Sequence, residues 1–215
     1  MNFSLIITAG GTSSRYGNRN KLLEKIDSKT VIEHSISPFF NFEEIKEIII
    51  PANISIIKEL KEIITNPKVK IIEGGQTRQE SVYKALQKTN GDFIIIHDGA
   101  RPLVSETIIK NVINSVQQYN AVSVMTKTTD TIKEVDAAGK IIRTIDRSKL
   151  YNTQTPQAFR RDLIIGAHDK LKGQNYTDDS SMLEELAIPV YIVEGSYTNI
   201  KITSKSDLDF AKLYI

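Results

Sequence analysis

Short blocks of isoleucine and valine recur along the chain, and the stretches between them bring an apolar residue back every three or four positions. The blocks at Ser4–Thr8, Glu47–Pro51, Val69–Ile72, Phe93–His97, Val122–Met125 and Val190–Val193 predict β-strands. Several are continuously apolar, as strands buried on both faces are. The intervening stretches predict amphipathic helices. Over Ile54–Ile64, residues Ile54, Ile57, Leu60, Ile63 and Ile64 fall on one helical face. Glu106–Tyr119 repeats the pattern through Ile109, Val112, Ile113 and Val116, with Ser105 placed to cap it. Ser206-Asp207-Leu208-Asp209 predicts a helix start ahead of Phe210 and Leu213. Strand–helix alternation of this kind predicts an α/β fold: a mainly parallel, doubly wound, Rossmann-like sheet with helices on both faces. Such sheets bind ligands beyond the carboxyl ends of their strands.

The segment 128–150 breaks the alternation. Two strand-like arms flank Asp136-Ala137-Ala138-Gly139, a turn signal, so an inserted β-hairpin is expected. Its apolar Ile132, Val135, Ile141, Ile142 and Ile145 must be covered. They can fold back on the core or reach a partner chain, and the pattern favours neither.

Composition narrows the class. The chain has 215 residues, 40% hydrophobic and 25% charged, as in an ordinary globular protein. One domain over 1–215 is expected, with no internal repeat or linker. A net charge of +2 lacks the dense basic character of a nucleic-acid or membrane-surface binder. The absence of cysteine excludes disulfides, thiolate zinc sites and cysteine nucleophiles. No leader pattern or long apolar window is present, so a cytoplasmic protein is expected.

The polar clusters carry the chemistry. Ala9-Gly10-Gly11-Thr12-Ser13-Ser14-Arg15 follows the first strand block, with Lys21 a little further on. Glycines let a backbone turn tightly and bring its N–H groups to an anion, and two cations can neutralise a phosphate. An ordinary glycine turn reads the same way. Gly74-Gly75, Arg78 and Ser81 follow the third block and suit either a binding loop or a capped turn. His97-Asp98-Gly99-Ala100-Arg101-Pro102 follows the fourth. Asp98 there suits a cation, a ribose or an ion pair with Arg101 that shapes a turn. A dinucleotide oxidoreductase fits poorly, because the first loop lacks the full Gly-x-Gly-x-x-Gly pattern.

Taken in register, these blocks resemble the 2-C-methyl-D-erythritol 4-phosphate cytidylyltransferase family nearly end to end. The resemblance runs through Ala9-Gly10-Gly11 with Arg15, Gly74-Gly75-x-x-Arg78-x-x-Ser81-Val82 and His97-Asp98-x-Ala100-Arg101-Pro102. It continues through Asp130-Thr131-Ile132-Lys133, Asp146-Arg147, Thr155-Pro156-Gln157, Thr177-Asp178-Asp179 and Asn199-x-Lys201-x-Thr203. It implies that CTP lies over the glycine turn at Ala9, Gly10 and Gly11, with a polyol phosphate as second substrate. Arg15 and Lys21 match the catalytic pair at the α-phosphate. Gly74, Gly75 and Ser81 match the loop at the base, and Asp98 a residue near the ribose. Arg101, Thr131, Arg147 and Lys201 match residues around the polyol phosphate. Mg²⁺ or another divalent cation is implied with CTP, its protein ligands unspecified. The hairpin matches an arm that embraces a second subunit, so a homodimer is implied, with Thr131 and Arg147 completing the partner's site.

The chain departs from that family at two places. Ser13 stands where a second glycine is usual, and Asn20 stands where a proline precedes the lysine. The Arg15–Lys21 spacing is one residue short, which makes Arg19 a rival cation. Ribitol-5-phosphate cytidylyltransferases share most of the blocks but usually carry a single aspartate where this chain has Asp178-Asp179 ahead of Glu184. A non-catalytic nucleotide-binding regulator is the reading from another class. Retention of cations for both phosphates argues against it.

Overall fold

The computed structural model describes residues 1–11, 16–17, 20–174 and 176–215. In chain order the elements are β1 (Phe3–Thr8), β2 (Lys25–Ile26), β3 (Lys29–Thr30), α1 (Val31–Ile36), β4 (Ile45–Ala52), α2 (Ile57–Ile63), β5 (Val69–Glu73), α3 (Arg78–Leu86) and β6 (Phe93–Asp98). They continue as α4 (Glu106–Tyr119), β7 (Ala121–Lys127), β8 (Lys133–Val135), β9 (Ile141–Thr144), β10 (Tyr151–Arg160), α5 (Arg161–Lys170), α6 (Ser180–Glu185), β11 (Tyr191–Glu194) and α7 (Lys205–Ala211). Seven strands form one sheet in the order β11-β7-β10-β6-β1-β4-β5. All run parallel except β10, which is antiparallel to both β6 and β7.

The apolar blocks work as two-sided strands. Along β1, Leu5 and Ile7 enter one core while Ile6 enters the other. β4 divides Ile48 and Ile50 from Ile49, and β6 divides Ile95 from Ile94 and Ile96. Alternate side chains of a strand point to opposite faces, so a continuous apolar run fills both. Val31 and Ile32 of α1, Leu60 of α2, Ile109 and Val112 of α4 and Leu208 of α7 close the first face. Val82 and Leu86 of α3, Ile164 of α5 and Leu183 of α6 close the second.

All six expected strands are present, each near its expected bounds. α4 also stands where expected, and the Ser105 side chain accepts from the Ile108 N–H at its start. Three details differ. Ile54 is 69% exposed, because the chain enters α2 through a tighter 3₁₀ turn that shifts the helical phase and turns Ile56 inward instead. Leu208 and Ala211 of α7 are buried, whereas Phe210 and, beyond the helix end, Leu213 face outward. The strand β10 was not expected. Its middle is polar, and Gln157 is buried there by bonding Ser123, Asp178 and Ser180 rather than by being apolar.

The hairpin is present as β8 and β9, turning through Asp136–Gly139 with Gly139 at φ 82°. It does not fold back on the core: Val135, Ile141 and Ile142 are each more than half exposed.

Candidate active site

β1 delivers Ala9, Gly10 and Gly11 to the carboxyl edge of the sheet, and β5 delivers Gly74 and Gly75 beside them. One hydroxyl ties the two turns to α3. Ser81 Oγ accepts from the Gly75 N–H at 2.9 Å and donates to the Thr77 carbonyl at 2.8 Å. A Cβ on Gly10 or on Gly74 would come within 2.9 Å of that oxygen, so this close packing requires glycine at both places. α3 begins at the Thr77 cap, whose hydroxyl accepts from the Glu80 N–H at 3.1 Å. Together these parts bound a cavity of about 390 Å³ at the carboxyl ends of β1, β5 and β6. Lys21 and Lys201 line it as well. Lys21 opens a single 3₁₀ turn capped by Asn20, whose side chain accepts from the Leu22 N–H at 3.1 Å. Asn20 thus supplies by hydrogen bonding the local order that a proline would supply by its ring.

Asp98 is the carboxylate on the cavity wall. Its Oδ2 faces Lys201 Nζ at 3.0 Å and Arg101 Nε at 3.4 Å. Its Oδ1 accepts from the Thr8 hydroxyl at 3.2 Å, and Arg78 Nε lies 3.9 Å away. Burial opposes the charge, but Lys201, Arg78 and Arg101 outweigh it and hold the carboxyl well below the usual carboxylate range.

A buried chain of bonds fixes the strand end beneath Asp98. His97 Nε2 lies 3.2 Å from the Arg101 carbonyl, which can only accept, so this nitrogen carries the proton. Nδ1 is then the acceptor for the Thr155 hydroxyl at 3.0 Å, and the same hydroxyl accepts from the Asp98 N–H at 3.0 Å. Burial lowers the His97 pKa to about 4, which keeps the ring neutral.

Lys201 is set by its loop. The Ile202 N–H donates to the Ala100 carbonyl at 2.8 Å. Asp207 of α7 accepts from the Thr203 N–H at 2.8 Å and from the Thr203 hydroxyl at 2.6 Å. Buried Asn199 donates to the Thr155 carbonyl at 2.9 Å, joining this loop to β10.

The structure therefore brings Ala9, Gly10, Gly11, Lys21, Ser81, Asp98 and Lys201 around one cavity, with Gly74 and Gly75 packed against Ser81. Arg101 is turned into the fold, its Nη1 donating to the Asn199 carbonyl at 2.7 Å. Thr131 and Arg147 stand exposed on the hairpin, outside the cavity wall, where the Arg147 guanidinium donates to the Thr129 carbonyl. Arg15, Ser13 and Arg19 lie outside the described residues.

Sequence reasoning gave no role to Thr8 or Arg78, although Arg78 is part of a singled-out block. Arg78 Nη2 donates to Asp179 at 2.7 Å across 101 positions of chain, a partnership that no local pattern shows. Among the described residues, no three His, Asp or Glu side chains gather as a metal site.

Parallel strands that end in a glycine turn and a helix start, around a cavity lined by Lys21 and by Lys201 facing one carboxylate, define an α/β protein of the nucleotidyltransferase class. The model of the IspD family, 2-C-methyl-D-erythritol 4-phosphate cytidylyltransferase, matches residues 3–215, and the chain belongs to that family. The relative of that name from Caldanaerobacter subterraneus subsp. tengcongensis is 40% identical over 225 residues, covering 100% of this chain and 99% of its own. The one from Aquifex aeolicus is 38% identical over 212 residues, covering 98% and 96%. Among solved structures, 4-diphosphocytidyl-2C-methyl-D-erythritol synthase from Anaerococcus prevotii superposes with a TM-score of 0.88 at 30% identity, over 99% of this chain and 95% of that one.

Proposed function

We propose that this chain joins CTP to 2-C-methyl-D-erythritol 4-phosphate, releasing pyrophosphate, in non-mevalonate isoprenoid precursor synthesis. The observation that carries this reading is the meeting of Lys21, Asp98 and Lys201 on the wall of one cavity beside the glycine turn, in a chain that belongs to this family throughout its length.

CTP lies over Ala9–Gly11, with its base toward the Gly74–Ser81 loop and its ribose toward Asp98. A phosphate oxygen of the second substrate attacks the α-phosphorus. A new P–O bond forms, the bond from the α-phosphorus to the bridging oxygen breaks, and pyrophosphate leaves with the electron pair. The substrate brings its own nucleophile, so the protein positions the reactants and offsets charge. Arg15 and Lys21 serve the α-phosphate, and the amino end of α3 adds positive potential near the nucleotide. Lys201 serves the polyol phosphate, and Arg101 sets that side of the site. Asp98 is the one carboxylate on the described wall, so a divalent cation would be held chiefly by the nucleotide's own phosphates, with at most Asp98 from the chain. When bound it would neutralise phosphate charge.

The exposed hairpin reaches a second copy of the chain. Its uncovered Val135, Ile141 and Ile142 support a homodimer in which Thr131 and Arg147 complete the partner's polyol-phosphate pocket. Phosphorus NMR of the protein with CTP, Mg²⁺ and 2-C-methyl-D-erythritol 4-phosphate tests the proposal. A new diphosphate diester should appear together with pyrophosphate. An unchanged CTP spectrum would refute it.

A further inference from the structure

Asp179 is a buried carboxylate that the chemistry above leaves without a task. It precedes α6 and does not cap it by its side chain. Its Oδ2 accepts from Arg78 Nη2 at 2.7 Å, and its Oδ1 faces the Nε2 of buried His168 at 3.7 Å. That nitrogen has no hydrogen-bond partner among the described residues, and the Tyr83 ring stacks on the imidazole at a centroid distance of 5.8 Å. Three helices thus meet at Asp179, with α3 giving Arg78 and Tyr83 and α5 giving His168.

Arg78 stands between two carboxylates. It touches Asp179 on one side, while 3.9 Å from its Nε to Asp98 Oδ1 is too long for a hydrogen bond on the other. Asp98 Oδ2 is engaged by Lys201 and Arg101. Oδ1 has the Thr8 hydroxyl as its one hydrogen-bond donor among the described residues. A carboxylate oxygen takes two donors, so one acceptor position on Oδ1 remains. A shift of Arg78 by about 1 Å would fill it. Attraction to Asp98 favours that shift, and the shorter pair with Asp179 opposes it.

We propose that Asp179 is a positioning residue: it holds Arg78 off Asp98, so that Oδ1 of Asp98 stays open to a ribose hydroxyl of the nucleotide. This rests on the reading of the cavity as a CTP site. His168 braces Asp179 from the far side, and Tyr83 braces His168.

The test compares CTP with 2′,3′-dideoxy-CTP as kcat/KM, with 2-C-methyl-D-erythritol 4-phosphate as acceptor. The wild-type chain should prefer CTP by roughly tenfold to a hundredfold, the range for a hydrogen bond to a charged group. Asp179→Asn keeps the shape and loses the charge. It should raise the KM for CTP and reduce the preference to within about threefold, leaving the KM for the polyol phosphate near its wild-type value. Adding Arg78→Gln removes the intruding cation and should restore the preference. A purely structural role for Asp179 would slow both nucleotides equally and keep their ratio, which would overturn the proposal. So would a wild-type chain that uses both nucleotides equally well. If Asp179→Asn alone fails to fold, Asp179→Glu, which keeps the charge but pushes Arg78 toward Asp98 by one methylene, takes its place: a preference reduced to within about threefold supports the proposal, and an unchanged preference overturns it. A preference lost in the double variant would mean that Arg78 itself holds the ribose, which would also overturn it. No turnover of CTP by the wild-type chain would instead refute the function on which the proposal rests.

Discussion

Ser81 Oγ is the point where three glycines meet α3, and the tightness of that contact makes it testable residue by residue. A methyl group at Gly10 would lie 2.9 Å from this oxygen but 3.7 Å from the Ser81 Cβ. Gly10→Ala should therefore weaken CTP use strongly. In the Gly10→Ala/Ser81→Ala double variant the clash is gone, and the loss should be clearly smaller than the two single losses combined, as steady-state kinetics of the cycle will show. His97 gives a second prediction, in the pH dependence of stability. Its pKa is about 4 in the folded chain against an ordinary 6.5. Between these values the unfolded chain binds a proton that the folded chain does not, so stability falls as pH drops from 6.5 toward 4. The loss is on the order of 3 kcal/mol. Urea unfolding at several pH values checks this, and His97→Gln should flatten the slope in that window.

At the scale of elements, the start of α7 does two jobs. Ser204 and Asp207 form a reciprocal capping box, and Asp207 also holds Thr203 in the loop that carries Lys201. Ser204→Ala should cost about 1 kcal/mol in thermal or urea unfolding and leave the kinetic constants alone. Asp207→Ala should match that cost and also raise the KM for the polyol phosphate. The hairpin gives the other test. Replacing both Ile141 and Ile142 by Glu puts like charges into an apolar contact between copies. Sedimentation should then show monomers, and activity should fall with the dimer. Unchanged association and activity would remove the arm from the account. Elements were legible in the sequence in proportion to their apolar content. The Ile/Val blocks of β1, β4 and β6 stand out because they fill both faces of the sheet. β10 does not, because Gln154, Thr155 and Gln157 are buried by hydrogen bonds rather than by being apolar. The phase error at Ile54 is of another kind: it sits in a 3₁₀ turn of three residues per turn, out of phase with the α-helix that follows, in which Ile57, Leu60, Ile63 and Ile64 keep the expected inward face.

Over the whole molecule, the parallel strands place their carboxyl ends at one edge, and this gathers residues from 8 to 203 around a single cavity. The sequence blocks named most of that gathering, because glycine turns and helix caps leave local signatures. They could not name the Arg78–Asp179 pair or the His97–Thr155 bond, which depend on antiparallel β10 and on helices far apart in the chain. The measurement that bears most directly on the account is pyrophosphate release with CTP and Mg²⁺, run in parallel with 2-C-methyl-D-erythritol 4-phosphate and with ribitol 5-phosphate. Rapid release with the methylerythritol substrate and little with ribitol phosphate is the predicted result. Release with ribitol phosphate alone, or with neither despite bound CTP, would contradict it.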